Sequence, residues 1–193
     1  IAETREKLLG LELFGTVRVA PAQTQGMPTT LPMEIEVAEK ANREIRLALG
    51  YGTEDQFRTQ LEWRHLNWLG GGRKLSISAK YSSITTSGAI NLIQPHFFSR
   101  DTQGVVRLSY DQEKEETYKR NVARFLPRVE HRFSPHLTGF AGYRVEYDKL
   151  NDIEAATEAA LGGIRREGIV SGPTTGLVWN TSDDPFNPKK GHV

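Results

Sequence analysis

The stretch that decides the fold is Arg43–Gly52, REIRLALGYG, in which apolar and polar side chains alternate. Because successive side chains of a strand point to opposite faces, this pattern predicts a strand with one apolar and one polar face. The apolar face consists of Ile45, Leu47, Leu49 and Tyr51. The opposite face consists of Glu44, Arg46, Ala48 and Gly50.

The same alternation recurs along the rest of the chain. Residues 57–66 set Phe57, Leu61 and Trp63 against charged residues and Gln60, and residues 74–82 set Leu75, Ile77, Ala79 and Tyr81 against Lys and Ser. Further runs lie near residues 88–98, 104–112, 119–133, 136–148 and 169–182. We therefore predict about eight strands. The charge-dense segment 111–120 is predicted to be a solvated loop, and residues 151–163 a short helix or loop.

The length of these runs favours a membrane-spanning sheet. Each run covers about 9 to 13 residues, which exceeds the usual globular strand and is close to the length of a tilted strand that crosses a bilayer. Aromatic residues end several runs, as in a barrel with a lipid-facing outside and a wet interior. The predicted lipid-facing residues are Ile45, Leu47, Leu49, Tyr51, Leu61, Trp63, Leu75, Ile77 and Tyr81. On the pattern alone, a soluble antiparallel sheet with one face on a core is an equal alternative.

The first forty residues show a different spacing of apolar and polar residues. Residues 2–14 predict a short helix that leads into a strand, with Gly10 interrupting the helical spacing. Residues 15–20 and 31–39 alternate and predict two strands joined by a loop rich in Gly, Pro and Thr. We therefore divide the chain into a small α+β unit, residues 1–40, and a β-rich unit, residues 41–193.

Composition excludes several classes of protein. The 193 residues carry a net charge of +1, which gives no electrostatic case for nucleic acid. No apolar run approaches the length of a membrane-spanning helix, and the many aromatic residues argue against disorder. Cysteine is absent, and we find no constellation of catalytic or metal-binding residues, so neither a cofactor nor an enzymatic activity is expected. The start at Ile1 suggests a processed product or an excised part of a longer chain.

Three stretches resemble the BamA and TamA family of outer-membrane assembly proteins. The segment LPMEIEVAEKANREIRLALGYG and its continuation to residue 82 resemble the junction between the last periplasmic POTRA domain and the first barrel strands. The segment LLGLELFGTVRVAP resembles the C-terminal part of a POTRA domain. The segment WNTSDDPFNPKKGH, from residue 179, resembles the mid-barrel signature of the family. The resemblance implies the first half of an antiparallel transmembrane β-barrel, preceded by the C-terminal part of a POTRA domain. The charge balance of residues 46–64 and the short loops are slightly more similar to TamA than to BamA.

The resemblance also implies a function. It predicts a protein of the outer membrane of a Gram-negative bacterium, or of a derived organelle, that inserts β-barrel or autotransporter clients by strand addition at a barrel seam. The client would bind the backbone of the first barrel strand: Arg43, Glu44, Ile45, Arg46, Leu47, Ala48, Leu49, Gly50, Tyr51 and Gly52. Gly50 and Gly52 would either loosen that seam or mark an ordinary turn entry.

The POTRA part would lie in the periplasm. It would bind a periplasmic or inner-membrane partner subunit or a client at the edge of residues 31–39, or serve as a rigid spacer. Two other classes of protein remain as alternatives, a two-partner secretion pore of the same superfamily and a soluble β-rich binding module.

Overall fold

A computed structural model describes residues 2–10, 13–22, 32–154, 162 and 165–182. The chain begins with helix α1, Ala2–Gly10, followed by strands β1, Phe14–Pro21, and β2, Met33–Glu39. β1 and β2 form a two-stranded antiparallel sheet, in which Val17 lies opposite Val37 and is buried. The first residues thus form the predicted helix and strand pair, although the helix ends at Gly10. The assignment of residues 1–40 as a separate domain stays a prediction. In the part of the chain that the structure describes, helices lack the length and hydrophobicity of a membrane span.

The remaining described strands form one antiparallel sheet. Its members are β3 (Arg43–Gly52), β4 (Gln56–His65), β5 (Lys74–Tyr81), β6 (Thr85–Gln94), β7 (Thr102–Lys114), β8 (Lys119–Ser134), β9 (Leu137–Asn151) and β10 (Glu167–Trp179). The order β10-β9-β8-β7-β6-β5-β4-β3 follows the chain, so every strand pairs with its neighbour in sequence. This up-and-down arrangement confirms the predicted fold class of a mainly β, antiparallel structure with eight strands in its second unit.

The prediction of a solvated loop at residues 111–120 is wrong. β7 continues to Lys114 and β8 starts at Lys119, so the turn between them covers only residues 115–118. The charged side chains stay in strands because they pair across strands, as Arg120 does with Asp148. A dense run of charge therefore indicates here a polar face of a long strand pair rather than a loop.

Other boundaries also differ from the predicted runs. β6 begins at Thr85 and ends at Gln94, earlier than residues 88–98, because Pro95 lacks a backbone donor and His96 has a positive φ of 54°. β10 ends at Trp179 instead of residue 182, whereas β9 extends to Asn151. Most of the predicted helix or loop at 151–163, and the signature residues from 183 onward, lie outside the described residues.

The strand register aligns the alternating side chains of all eight strands, so that each side of the sheet is continuous from strand to strand. Residues paired directly across antiparallel strands point to the same side of the sheet. One row, for example, runs through Leu47, Leu61, Ala79, Gly88, Tyr110, Ala123, Tyr147 and Ile169. We call the side that carries this row the outer face and the opposite side the inner face. The outer face is mostly apolar, and the inner face carries most of the charges.

The outer face is not covered by any other part of the described chain. Only four apolar residues are buried among the described residues, namely Val17, Leu66, Val105 and Val122, and no large side chain is fully buried. Ile45, Leu47, Leu49 and Tyr51 are between 64% and 78% exposed. A soluble sheet would bury such a face in a core, and the described residues form no core over it.

The sheet has two distinct ends. The near end is where β3 begins, and it carries the turns 66–73, 95–101 and 135–136. The far end carries the turns 53–55, 82–84 and 115–118. The helix and two-stranded sheet precede β3 in the chain and therefore connect to the near end.

Candidate functional site: an open edge between two unlike faces

β3 lies at the edge of the eight-stranded sheet. Its ten residues pair with β4 from Arg43↔His65 to Gly52↔Gln56, without a bulge. Within the described residues no strand pairs with its other side. The ten residues predicted to receive a client thus form one continuous edge strand, and their role in binding stays a prediction.

Ion pairs on the inner face hold the near half of β3 to β4. Arg46 lies 2.7 Å from Glu44 and 3.7 Å from Glu62. Arg64 lies 3.5 Å from Glu44 and 3.7 Å from Glu62. Exposed pairs of this kind contribute up to about 1 kcal/mol each. The network therefore supports the pairing of β3 with β4 only weakly beyond its backbone hydrogen bonds.

The far half of β3 is kept free of inner-face side chains by glycine. A Cβ built on Gly50 would lie 2.7 Å from Nε of Arg58. Arg58 also lies 3.6 Å from Asp55, whose carboxylate occupies the space above Gly52. The two glycines thus make room for an ion pair between Arg58 of β4 and Asp55 of the turn that joins β3 to β4. Neither sequence interpretation of the glycines contained this packing reason.

All nine residues predicted to face lipid lie on the outer face. Seven of them are exposed, while Trp63 and Leu75 are half-buried. The structure adds outer-face residues that the prediction missed, although the same period of two marks them: Phe57, Ile90, Val106, Leu108, Tyr110, Phe125, Val129, Phe133, Tyr143, Ile169, Leu177 and Trp179. That this face contacts lipid remains a proposal.

Most aromatic side chains of the outer face lie toward its two ends, although Phe125 and Tyr143 lie near the middle of β8 and β9. The near end carries Trp63, Phe97, Phe133 and Trp179, and the far end carries Tyr51, Phe57, Tyr81, Tyr110 and Tyr147. The rings also contact neighbours, since the His131 and Phe133 centroids lie 4.7 Å apart. Two aromatic bands around an apolar one are typical of strands that cross a membrane.

A ladder of ion pairs crosses the inner face of β7, β8 and β9. Arg124 on β8 lies 2.6 Å from Asp111 and 3.0 Å from Glu146. Arg120 binds Asp148 through two nitrogens. The sequence pattern alone does not reveal this ladder, because the ladder depends on the strand register. Charged pairs that line the polar side of an open sheet fit the wet interior of a barrel.

The antiparallel sheet, with one apolar and one charged face, has the architecture of the wall of a membrane β-barrel. Sequence comparison identifies the family of the chain. The profile of the Omp85 superfamily domain matches residues 67–193. The chain therefore belongs to the Omp85 superfamily. This finding confirms the resemblance to assembly proteins of the BamA and TamA type.

Two relatives are BamA proteins. The outer membrane protein assembly factor BamA of Neorickettsia risticii (strain Illinois) is 21% identical over 195 residues, which cover 100% of this chain and 26% of that protein. The crystal structure of BamA from Haemophilus ducreyi lacking POTRA domains 1-3 has a TM-score of 0.69 with this chain at 14% identity. That match covers 97% of this chain and 39% of the other, and it supports the fold alone. The chain thus spans about a quarter of the length of the Neorickettsia relative.

Proposed function

We propose that the gene product containing this chain assembles β-barrel or autotransporter clients in the outer membrane, without an enzymatic active site. The client strand would add to the free edge of β3 by backbone hydrogen bonding. The observation that carries the proposal is that β3, the first strand of the sheet, pairs only with β4 among the described residues, in a member of the Omp85 superfamily. The similarity to the outer membrane protein assembly factor BamA of Neorickettsia risticii supports it.

The physical reason is the cost of an open edge. An edge strand presents unpaired N–H and C=O groups, and in hydrocarbon no water can satisfy them. A client strand that supplies partners for these groups gains both pairing and a route toward lipid. Side chains need not be specific, because the bonds are between backbones.

Lipid contact follows from the same geometry. The uncovered outer face between the two aromatic bands matches the apolar side of a membrane strand. The inner face, with its ion pairs, would face water inside a barrel. We therefore propose an outer-membrane location for the eight-stranded sheet and a periplasmic one for the helix and β1–β2 sheet that precede its near end.

The small sheet would bind a second partner. β2 pairs with β1 alone among the described residues, so one of its edges is open. Met33, Ile35 and Val37 on its apolar face are also exposed. We propose that a partner subunit, or a client before insertion, binds along Met33–Glu39, a strand two residues shorter than the predicted segment.

Cysteine cross-linking tests the client-binding edge. Because the chain has no cysteine, a single Ala48→Cys on β3 can be paired with a single cysteine in the last strand of a client during assembly in cells. We expect a disulfide-linked complex that forms while the client is incomplete. Barrel and autotransporter clients, tested separately, define the client class.

The matched control is Ala89→Cys on β6, an interior strand with partners on both sides. It should give little cross-linked product. Equal products at the two positions, or none at Ala48→Cys with either client, would refute strand addition at β3.

A further inference from the structure

Three adjoining cavities lie on the inner face along strands β5 to β8. The first, of about 380 Å³, lies at the near end and is lined in part by Arg100. The second, of about 630 Å³, lies along β7 and β8 and shares Glu130 with the first. The third, of about 130 Å³, lies along β5 to β7 and shares Asp111 with the second. We call the three cavities together the inner track.

Short side chains form the floor of the third cavity. Ser78 on β5 lies opposite Ala89 on β6, and Ala89 lies opposite Ser109 on β7. All three residues line the cavity, and their side chains point to the inner face. Because these side chains are short, the longer side chains of Lys80 and Arg107 extend above them. The depression therefore follows from the small inner-face residues of β5, β6 and β7.

Basic side chains outnumber acidic ones along the inner track. Seven Lys and Arg residues and three carboxylates line its cavities, whereas the whole chain has a net charge of +1. The inner track thus concentrates an excess of four positive charges. The basic residues are Lys74, Lys80, Arg100, Arg107, Arg124, Arg128 and Arg132, and the acidic ones are Asp101, Asp111 and Glu130.

Each of the three carboxylates already has an arginine partner. The pairs are Arg124 with Asp111 at 2.6 Å, Arg128 with Glu130 at 2.6 Å and Arg132 with Asp101 at 3.3 Å. A carboxylate that is held in an ion pair does little to neutralise a further cation. The excess of positive charge on the inner track is therefore not balanced by its own acidic residues.

Three of the cations, Arg100, Arg107 and Lys80, are exposed and form no ion pair with the described residues. The strand register explains two of them. Arg107 lies opposite Asn91 on β6 and Leu126 on β8, and the residues opposite Lys80 are also uncharged. Arg100 belongs to the near-end turn 95–101. The three cations are thus spread along the track from its near end toward the far end.

The length of the inner track limits what could occupy all of it. Thr102 lines the first cavity and Asp111 lines the third. The two residues are nine steps apart along β7, which corresponds to about 30 Å at about 3.3 Å per residue. A single small anion is much shorter than this distance. An extended polypeptide of about ten residues has the matching length.

We propose that the inner track binds an extended segment of a partner protein that carries Asp or Glu at alternate positions. Side chains at alternate positions of an extended chain point to the same side, so their carboxylates would face Arg100, Arg107 and Lys80 together. Guanidinium and carboxylate are complementary in charge and geometry. The proposal rests on the proposed function in one respect, that the inner face contacts water.

A synthetic peptide tests the inner track in the gene product that contains this chain, held in detergent micelles. The probe is a fluorescein-labelled decapeptide of alternating Glu and Thr, and the control peptide has Gln in place of each Glu. Fluorescence anisotropy measures binding. We expect the Glu peptide to bind about ten times more tightly than the Gln peptide at low salt, and the difference to shrink as salt screens the charges. Equal binding of the two peptides would refute the proposal.

Two charge-removing variants locate the binding. Arg107→Gln and Lys80→Gln should each weaken binding of the Glu peptide about threefold, and the double variant should weaken it further. Lys149→Gln is the matched control, because Lys149 is exposed on the outer face and forms no ion pair with the described residues. It should leave the affinity unchanged. Unfolding in urea checks that the variants fold, and equal affinities of the parent and the double variant would contradict binding at the track.

A single cysteine at Ser109, on the floor of the track, separates this proposal from the proposed function. We expect Ser109→Cys to react rapidly with a small water-soluble maleimide, and the Glu peptide to slow the reaction several-fold. The peptide should not slow the reaction of Ser83→Cys in a far-end turn. If position 109 reacts rapidly with or without the peptide, the track is refuted and the wet inner face stands. If position 109 reacts slowly while position 108 reacts rapidly, the wet inner face itself fails.

Peptide length provides the last comparison. The tetrapeptide Glu-Thr-Glu-Thr should bind several-fold more weakly than the decapeptide, because it can reach fewer of the spread cations. A tetrapeptide that binds as tightly as the decapeptide would refute an extended segment as the ligand and would assign the track to a small anion.

Discussion

Arg124 and Asp111, on neighbouring strands β8 and β7, form a 2.6 Å ion pair on the inner face. The same guanidinium also binds Glu146 on β9 at 3.0 Å, so one side chain ties three strands together. The 16% exposure of Glu146 limits solvent screening. The pair thus supports strand register at a place where backbone pairing alone would tolerate a shift.

We expect Arg124→Gln to destabilise the folded sheet by about 1 to 3 kcal/mol, because two carboxylates lose their charged partner. The measurement is the urea dependence of unfolding in detergent micelles or vesicles. Arg132→Gln is the matched control, since its pair with Asp101 is exposed on both sides and should contribute less than about 1 kcal/mol. Equal losses for the two variants would contradict a special role of the Arg124 ladder.

Gly142 on β9 has no room for a side chain. A Cβ there would lie 2.6 Å from the carbonyl oxygen of Pro127 and 3.0 Å from Cα of Arg128, so backbone atoms would have to move. We expect Gly142→Ala to destabilise the protein by about 1 to 3 kcal/mol through overpacking. Unfolding in urea provides the measurement.

Gly172, on the adjacent strand β10, supplies the control for this substitution. No atom lies within 4 Å of its Cβ position, so Gly172→Ala should be neutral or stabilise by up to about 1 kcal/mol. The prediction is a difference in sign between the two variants. Two variants of equal stability would show that the close approach at Pro127 is absent in solution.

Neighbouring residues of β6 test the two faces energetically. Ile90 lies on the outer face opposite Ile77 and Leu108, and Ala89 lies on the inner face opposite Ser78 and Ser109. We expect Ile90→Lys to cost about 2 to 4 kcal/mol in lipid vesicles, as for a charge near the midplane of a barrel. Ala89→Lys should cost much less, because its ammonium stays in water. If the inner-face variant were the costlier one, the assignment of the faces would be reversed.

The sequence predicted β3 to the residue, because its alternation is uninterrupted and polar turns flank it. The predicted run begins three residues after the start of β6, since the first residues of β6, TTSG, are small and polar and carry no apolar alternation. The charge density of residues 111–120 predicts exposure, but the strand register gives several of these charges a partner, as for Asp111 with Arg124 and Arg120 with Asp148.

Features that depend on register could not be predicted. The contact of Arg58 with Gly50 and the Arg124 ladder require knowledge of which residues lie opposite each other. The positive φ of Leu69 and Phe98 also lacks a sequence signal, because neither residue type favours that region.

The central claim is that the outer face contacts lipid and the inner face contacts water. It is tested most directly by six single cysteines from Val106 to Asp111 on β7, in the gene product reconstituted into vesicles and treated with a membrane-impermeant maleimide. We predict rapid labelling at 107, 109 and 111 and slow labelling at 106, 108 and 110. Uniform rates, or fast labelling of the even positions, would contradict the claim.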